Sequence, residues 1–244
     1  LYARVANNYP RSYYATRAVS MGYCTSLKHR RPAPQSTIAD PLPLLALEGS
    51  AFVQRATLFD ELGLPQLARG ELLIAERMNK SNLQALGTIR QVYETLGFWD
   101  RSLTLAVQLA NRGESKKELH QLYPNYYWQL INTAAVEAAV DPHLVLSVIR
   151  QESFFNHKAV SPAGALGLMQ IMPKTGRTIA NQLGQDDFKR RDLFEPSLSI
   201  RFGSFYLGER LRAFSPNPQP HLGYELGLAA YNAGPHNAHA WLKR

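Results

Sequence analysis

Glu152 is the residue whose placement first suggests chemistry. It lies near the end of the segment Asp141-Pro-His-Leu-Val-Leu-Ser-Val-Ile-Arg-Gln-Glu-Ser. Asp141 can accept a hydrogen bond at an N-cap and Pro142 suits a first helical turn, so a helix is expected to begin here. Leu144, Val145, Val148 and Ile149 form its apolar stripe, and one further step of four residues from Val148 reaches Glu152. The spacing puts a carboxyl group on the face that should be buried, in the last turn of the helix. Burial and the negative end of the helix dipole both push a carboxyl pKa upward. A Glu that keeps its proton near neutral pH can act as a general acid. The competing reading is a Glu whose head reaches solvent or pairs with Arg150 or another cation.

Two later segments could complete a site. Ser161-Pro-Ala-Gly-Ala-Leu-Gly-Leu-Met-Gln-Ile-Met-Pro sets two glycines and one amide in an apolar body. Gly164 and Gly167 are expected to let the backbone approach a ligand closely. Gln170 offers a donor and an acceptor, as sugar hydroxyls and N-acetyl groups require. Met169 and Met172 either line an apolar groove or fill gaps in the core. The segment lacks the Gly-Lys-Ser/Thr ending of a phosphate loop. In Leu228-Ala-Ala-Tyr-Asn-Ala-Gly-Pro, a helix should be interrupted at Gly234-Pro235. Tyr231 and Asn232 follow two alanines and can press on a neighbour. The Tyr231 hydroxyl can serve a carboxyl group or a substrate oxygen, or simply be satisfied in a core.

These segments need a scaffold, and the rest of the chain reads as helical. Between residues 44 and 112, apolar positions recur at three- and four-residue spacing, as in Phe52, Ala56, Phe59 and Leu62. Leu-Gly turns at Gly63 and Gly97 are 34 residues apart, the tetratricopeptide period, although a plain pair of helical hairpins explains them as well. Stacked hairpins of this kind usually form scaffolds. Four prolines between Pro32 and Pro43 mark a connector after a first helix carrying Tyr13 and Tyr14. A second boundary is expected near residues 113–124, before the cluster Tyr123, Tyr126, Tyr127 and Trp128.

Composition narrows the partners. The 244 residues hold 27 Lys+Arg against 19 Asp+Glu, a net charge of +8. That favours an anionic partner such as nucleic acid, acidic lipid or an acidic wall polymer. The charges sit in short groups, including Lys189, Arg190 and Arg191, which read as solvated faces or as a binding patch. No zinc-finger, RRM or basic-zipper pattern is present. The single Cys24 excludes an internal disulfide framework and a multi-Cys metal site. No run approaches the roughly 18 apolar residues of a membrane span.

Taken in order, Gln151-Glu152-Ser153-Phe154, Gly164-Ala165-Leu166-Gly167-Leu168-Met169-Gln170 and Ala230-Tyr231-Asn232-Ala233-Gly234 closely resemble the family 1 lytic transglycosylases of bacterial cell walls. The similarity runs from about Tyr123 to Arg244 and includes Asp192-Leu193-Phe194-Glu195-Pro196. Upstream, Asn8-Tyr9-Pro10-Arg11-Ser12-Tyr13-Tyr14 and the hairpins resemble the superhelical region of soluble periplasmic transglycosylases. The resemblance implies a mainly α fold. Residues 1–120 would form a TPR-like superhelical region and residues 121–244 a goose-type-lysozyme-like catalytic domain, which is expected to continue past Arg244. It implies that Glu152 is the catalytic acid and that Ser161, Gln170 and Met172 contact the glycan. Tyr231 would sit beside the carboxyl, with Asn232, Ser153, Gly164 and Gly167 in support. Two departures stand out: Ser199 where the family often has Asn, and Asn156-His157-Lys158 in place of an Asn-Pro pattern.

The implied reaction is non-hydrolytic cleavage of the β-1,4 bond between N-acetylmuramic acid and N-acetylglucosamine, giving 1,6-anhydromuramoyl ends. No metal or cofactor is implied. The partner would be a peptidoglycan strand and not nucleic acid, and protein partners would dock on the helical repeats. The compartment would be the periplasm, with an export signal expected before Leu1. Asp186, Asp187, Asp192, Glu195, Glu209 and Glu225 lie near the motifs but not within them. If one of these activated water, the protein would be a hydrolytic muramidase. A third reading is a non-catalytic glycan-binding scaffold.

Overall fold

The Leu-Gly turns close two helical hairpins in the same way. In the computed structural model, which describes residues 50–113, 119–215 and 220–242, the hairpins are α1 (Ser50–Glu61) with α2 (Pro65–Met78) and α3 (Leu83–Thr95) with α4 (Trp99–Asn111). The expected Tyr13 helix and the proline-rich connector lie outside the described residues. Gly63 and Gly97 take φ of 69° and 74°, a region that glycine enters without steric cost. After α1, the N–H of Gly63 donates to Asp60 O at 2.9 Å and that of Leu64 to Phe59 O at 2.8 Å. After α3, Gly97 donates to Glu94 O at 3.1 Å and Phe98 to Tyr93 O at 2.8 Å. Each turn satisfies carbonyls that the helix end would otherwise leave open. Val53, Ala56, Leu72, Ile89 and Tyr93 form the shared core of the hairpins. Arg69 bonds both oxygens of Asp100, at 3.0 and 2.6 Å, and so ties α2 to α4 with a charge-assisted fork.

The second half is built around one long helix. After the short α5 (Leu119–Leu122) come α6 (Trp128–Ala138), α7 (Pro142–Ser153), α8 (Pro173–Gln182), a 3₁₀ turn (Arg190–Phe194), α9 (Pro196–Phe214), α10 (Pro220–Ala233) and α11 (Pro235–Leu242). Asp141 caps α7 as expected, accepting from the His143 N–H at 2.8 Å. The prolines at 142, 173 and 196 stand in first turns, where a missing N–H costs nothing. α9 packs against α6, α8, α10 and the 3₁₀ turn. Among the described residues the only strand-like pairings are the bridges Val160–Leu166 and Leu166–Ile171. The expectation of a mainly α chain with at most a short hairpin is borne out there.

The core of this half holds Ile131, Leu144, Ile149, Leu166, Met169 and Phe202, and α4 adds Leu103 to it. Trp99 of α4 stacks on Tyr126 with ring centroids 5.1 Å apart. The hairpins and the later helices therefore share buried side chains across residue 120. Pro41–Arg244 forms one compact unit.

Gly167 serves a different purpose from the one its sequence suggested. A Cβ at this position would lie 1.9 Å from the Leu193 carbonyl oxygen, so the close approach is to the 3₁₀ turn and not to a ligand. Gly164 faces open space and is required for its φ of 87°. Replacing Gly167 with Ala should therefore destabilise the fold by more than about 2 kcal/mol, combining a backbone clash with strain at positive φ. Gly70, in the interior of α2 with nothing within 4 Å of its Cβ position, gives the opposite expectation. Gly70→Ala should stabilise by about 0.5–1 kcal/mol. Urea denaturation midpoints of the two variants check both signs.

Candidate active site

Glu152 sits in the last turn of α7, half-buried, and burial pushes its pKa upward. A hydrogen bond from the Asn232 side chain acts in the opposite direction, because it favours the charged form. Arg150 does not pair with it. Its Nε donates to the Leu122 carbonyl at 2.9 Å, and its guanidinium lies over the rings of Tyr123 and Phe154, at 4.8 and 5.3 Å. Those contacts remove the competing reading in which Arg150 neutralises Glu152.

Immediately after α7 the chain takes two consecutive left-handed residues, Phe154 at φ 52° and Phe155 at φ 63°. Each costs roughly 1–2 kcal/mol for a side-chain-bearing residue. Burial of Phe155, only 2% exposed, offsets that cost. Its ring meets Tyr126 edge-on at 5.3 Å, and Tyr126 stacks on Trp99. The aromatic cluster thus fixes where α7 stops and where Glu152 is held. Ser153 turns its hydroxyl back to the Ile149 carbonyl at 3.1 Å, supporting the same helix end.

Opposite Glu152 runs the loop from Ser161 to Met172. Ser161 and Ala165 close a tight turn: Ser161 N–H donates to Ala165 O at 2.9 Å and Ala165 N–H to Ser161 Oγ at 3.0 Å. Gln170 stands at φ 49°, and its Nε2 donates to the carbonyls of Gly167 at 2.9 Å and Ala159 at 3.3 Å. Its donors hold the loop, so it is the amide oxygen that remains for a ligand. The two methionines divide the roles foreseen for both. Met169 is fully buried against Gly203, whereas Met172 is 41% exposed and lines the cleft. The Ser199 hydroxyl accepts the Met169 N–H at 3.3 Å and so ties the loop to α9.

Tyr231 lies near Glu152, and its hydroxyl donates to the Met169 carbonyl at 2.7 Å, while Asn232 is the side chain whose interaction lowers the Glu152 pKa. Burial first, and the neighbouring Glu152 charge second, push the Tyr231 pKa well above its ordinary value, so it stays a neutral donor. The bond couples α10 to the back of the loop.

The cleft so formed has a volume of about 400 Å³. It brings together Glu152, Ser161, Gln170, Met172, Tyr231 and Asn232. Ser153, Gly164 and Gly167 are not part of its lining. Thr175 and Tyr206 join it unannounced by the sequence reading. Thr175 stands three residues after Met172 at the start of α8, a spacing that could have suggested it. Tyr206 stands four residues after the core residue Phe202, and nothing in its spacing separates it from a core aromatic. Among the described residues that line the cleft, Glu152 is the only carboxylate. A second hollow, of about 450 Å³ beside Lys189, Arg190, Arg191 and Phe194, contains no acid.

A half-buried acid at a helix end, facing hydroxyl, amide and aromatic groups inside an all-helical domain, is a lysozyme-like arrangement. Residues 129–244 match the Transglycosylase SLT domain. It is 32% identical over 146 residues to the soluble lytic murein transglycosylase of Salmonella typhimurium, covering 59% of this chain and 21% of that protein. It is 41% identical over 83 residues to the membrane-bound lytic murein transglycosylase C of Actinobacillus pleuropneumoniae, covering 33% and 23%. The solved structure of an inactive Glu-to-Gln mutant of lytic transglycosylase Slt from Pseudomonas aeruginosa superposes with a TM-score of 0.71 at 26% identity, covering 99% of this chain and 36% of that one. The chain spans about a fifth of the length of these curated relatives.

Two titrations follow from this geometry. Asn232→Ala removes a bond to the charged form, so the Glu152 pKa should rise further above its wild-type value; carbon-13 NMR of the side-chain carboxyl reads the change. The raised native pKa means that the folded state binds more protons than the unfolded chain above the ordinary carboxyl range. Stability linked to Glu152 is full below the unfolded pKa and is lost as pH rises through the folded one. Glu152→Gln should therefore gain stability over wild type at pH 7 and lose that advantage at pH 4, as measured by urea unfolding at both values.

Proposed function

We propose that this protein is a lytic transglycosylase that cleaves the β-1,4 bond between N-acetylmuramic acid and N-acetylglucosamine in peptidoglycan and leaves 1,6-anhydromuramoyl ends. The observation that carries the reading is the single carboxylate in the cleft lining, Glu152. Glycosidases that use two carboxylates hold them about 5–5.5 or 6.5–9.5 Å apart. A one-acid route suits a cleft with no partner acid among its described lining residues. Asp192 and Glu209 have other tasks: Asp192 accepts the Lys189 N–H at 2.7 Å, and Glu209 accepts from Gln182 at 3.3 Å. The inactive Glu-to-Gln mutant of the Pseudomonas aeruginosa relative supports dependence on one glutamate.

In this mechanism Glu152 first donates its proton to the glycosidic oxygen, a step favoured by its raised pKa. As a carboxylate it then takes the proton of the muramoyl 6-hydroxyl. That oxygen closes on C1 and forms the anhydro ring. The attack is intramolecular and gains from proximity, and the substrate's N-acetyl group can assist at C1. Asn232, by donating to the carboxylate, steadies the charged state between the two steps. Ser161, the Gln170 amide oxygen, Met172 and Tyr231 hold the glycan. Residues 121–244 form the catalytic region, residues 1–120 the superhelical part, and the working compartment is the periplasm.

Glu152→Gln should lower turnover of purified sacculi at least 100-fold, the scale of a general acid–base contribution, while far-UV circular dichroism stays native. Mass spectrometry of the wild-type products decides the chemistry. Anhydro-muropeptides support the transglycosylase, reducing ends would make the protein a muramidase, and binding without soluble fragments would make it a glycan-binding scaffold.

A further inference from the structure

Tyr206 forms part of the cleft wall, with its ring centroid 5.5 Å from that of Tyr231. One turn further along α9, Arg210 lays its guanidinium over the Tyr206 ring, 4.8 Å from the centroid. The four-residue spacing puts both on one helix face. Arg210 is largely withdrawn from water, with 19% of its side chain exposed. Its Nε is buried without a hydrogen-bond partner. Its ion pair with the adjacent Glu209 is long, at 3.5 Å, and Glu209 also accepts from Gln182 at 3.3 Å. An arginine retained for pairing alone would match its N–H groups with acceptors. Arg210 leaves one unmatched and directs its charge at an aromatic ring.

We propose that Arg210 is a positioning residue that holds the Tyr206 ring against the cleft, so that the ring receives the face of a substrate sugar beside Glu152. The proposal rests on the glycan reading above. An aromatic ring fixed before binding gives up less rotamer freedom when a sugar stacks on it, and that difference appears as affinity. The effect belongs to substrate binding and not to proton transfer, because Arg210 acts through Tyr206.

The test is calorimetric binding of a soluble murein tetrasaccharide, with all variants made in the Glu152→Gln background so that turnover does not intervene. Arg210→Met should weaken binding about fivefold, the scale of a partly desolvated cation–π contact. Arg210→Lys, which keeps a cation over the ring, should recover at least half of that loss on a logarithmic scale. In a Tyr206→Ala background, Arg210→Met should add less than about twofold, as expected for residues that act as a pair. Unchanged affinity in Arg210→Met would overturn the proposal, as would the same loss with and without the Tyr206 ring, or a lower Tm with unchanged affinity. Where Arg210→Met unfolds, Arg210→Lys and Arg210→Gln are compared: Gln must weaken binding more than Lys, and the reverse order overturns the proposal. Absence of any binding in the Glu152→Gln parent would overturn the glycan reading itself and this proposal with it.

Discussion

The site depends on a carboxyl group kept partly out of water at the end of a helix. Burial raises the free energy of the charged form of Glu152, and the Asn232 side chain lowers it again. Neither influence alone would suit a group that, in the proposed mechanism, gives and then accepts a proton. Burial without a donor would fix the acid as neutral, and a donor without burial would leave an ordinary surface carboxylate. The balance requires Asn232 on α10 to meet the last turn of α7, two elements 80 residues apart in the chain. Much of the surrounding packing can be understood as holding that meeting in place.

Two devices hold it. On the α7 side, Phe154 and Phe155 stop the helix in left-handed geometry, and the Tyr126 and Trp99 rings press the turn into the core. On the α10 side, the Tyr231 hydroxyl locks onto the Met169 carbonyl, and Met169 fills the space that Gly203 leaves on α9. Moving α10 would break a buried hydrogen bond, and moving the loop would open a cavity beside Gly203. Both are costly in a packed interior. Among the described left-handed residues, Gln170 lines the cleft, and Phe154 and Phe155 directly follow the helix that carries Glu152.

Legibility in the sequence followed the range of the interaction. The α7 cap at Asp141, the Leu-Gly turns at Gly63 and Gly97, and the buried register of Glu152 are set by residues a few positions apart, so spacing revealed them. The cleft residues Ser161, Gln170, Met172, Tyr231 and Asn232 were legible from residue chemistry and motif resemblance, which record their types but not their bonds. The bonds were hidden. Tyr231 pairs with a carbonyl 62 residues away, and the neighbour that demands a glycine at 167 is the Leu193 backbone. Backbone atoms carry no residue type, so no pattern of side chains could have named those partners. Met169 and Met172 read alike in the sequence and part only because the chain reverses between them.

The aromatic cluster also bears on why the hairpins and the cleft belong to one compact unit. Trp99 and Leu103 come from α4, yet Trp99 stacks on the tyrosine that buries Phe155, and Leu103 enters the core beneath α6 and α7. The turn that ends α7 is therefore completed by side chains from outside the motif-bearing segment. Arg69 adds stiffness from the other direction, since its fork to Asp100 fixes the first turn of α4, where Trp99 begins. A displacement of the hairpins would reach Glu152 through four contacts in series: Arg69 to Asp100, Trp99 to Tyr126, Tyr126 to Phe155, and the end of α7. Each is a packed or charge-assisted contact with little slack. The hairpins thus pack against the end of α7 that carries Glu152 as well as against the lobe that contains it.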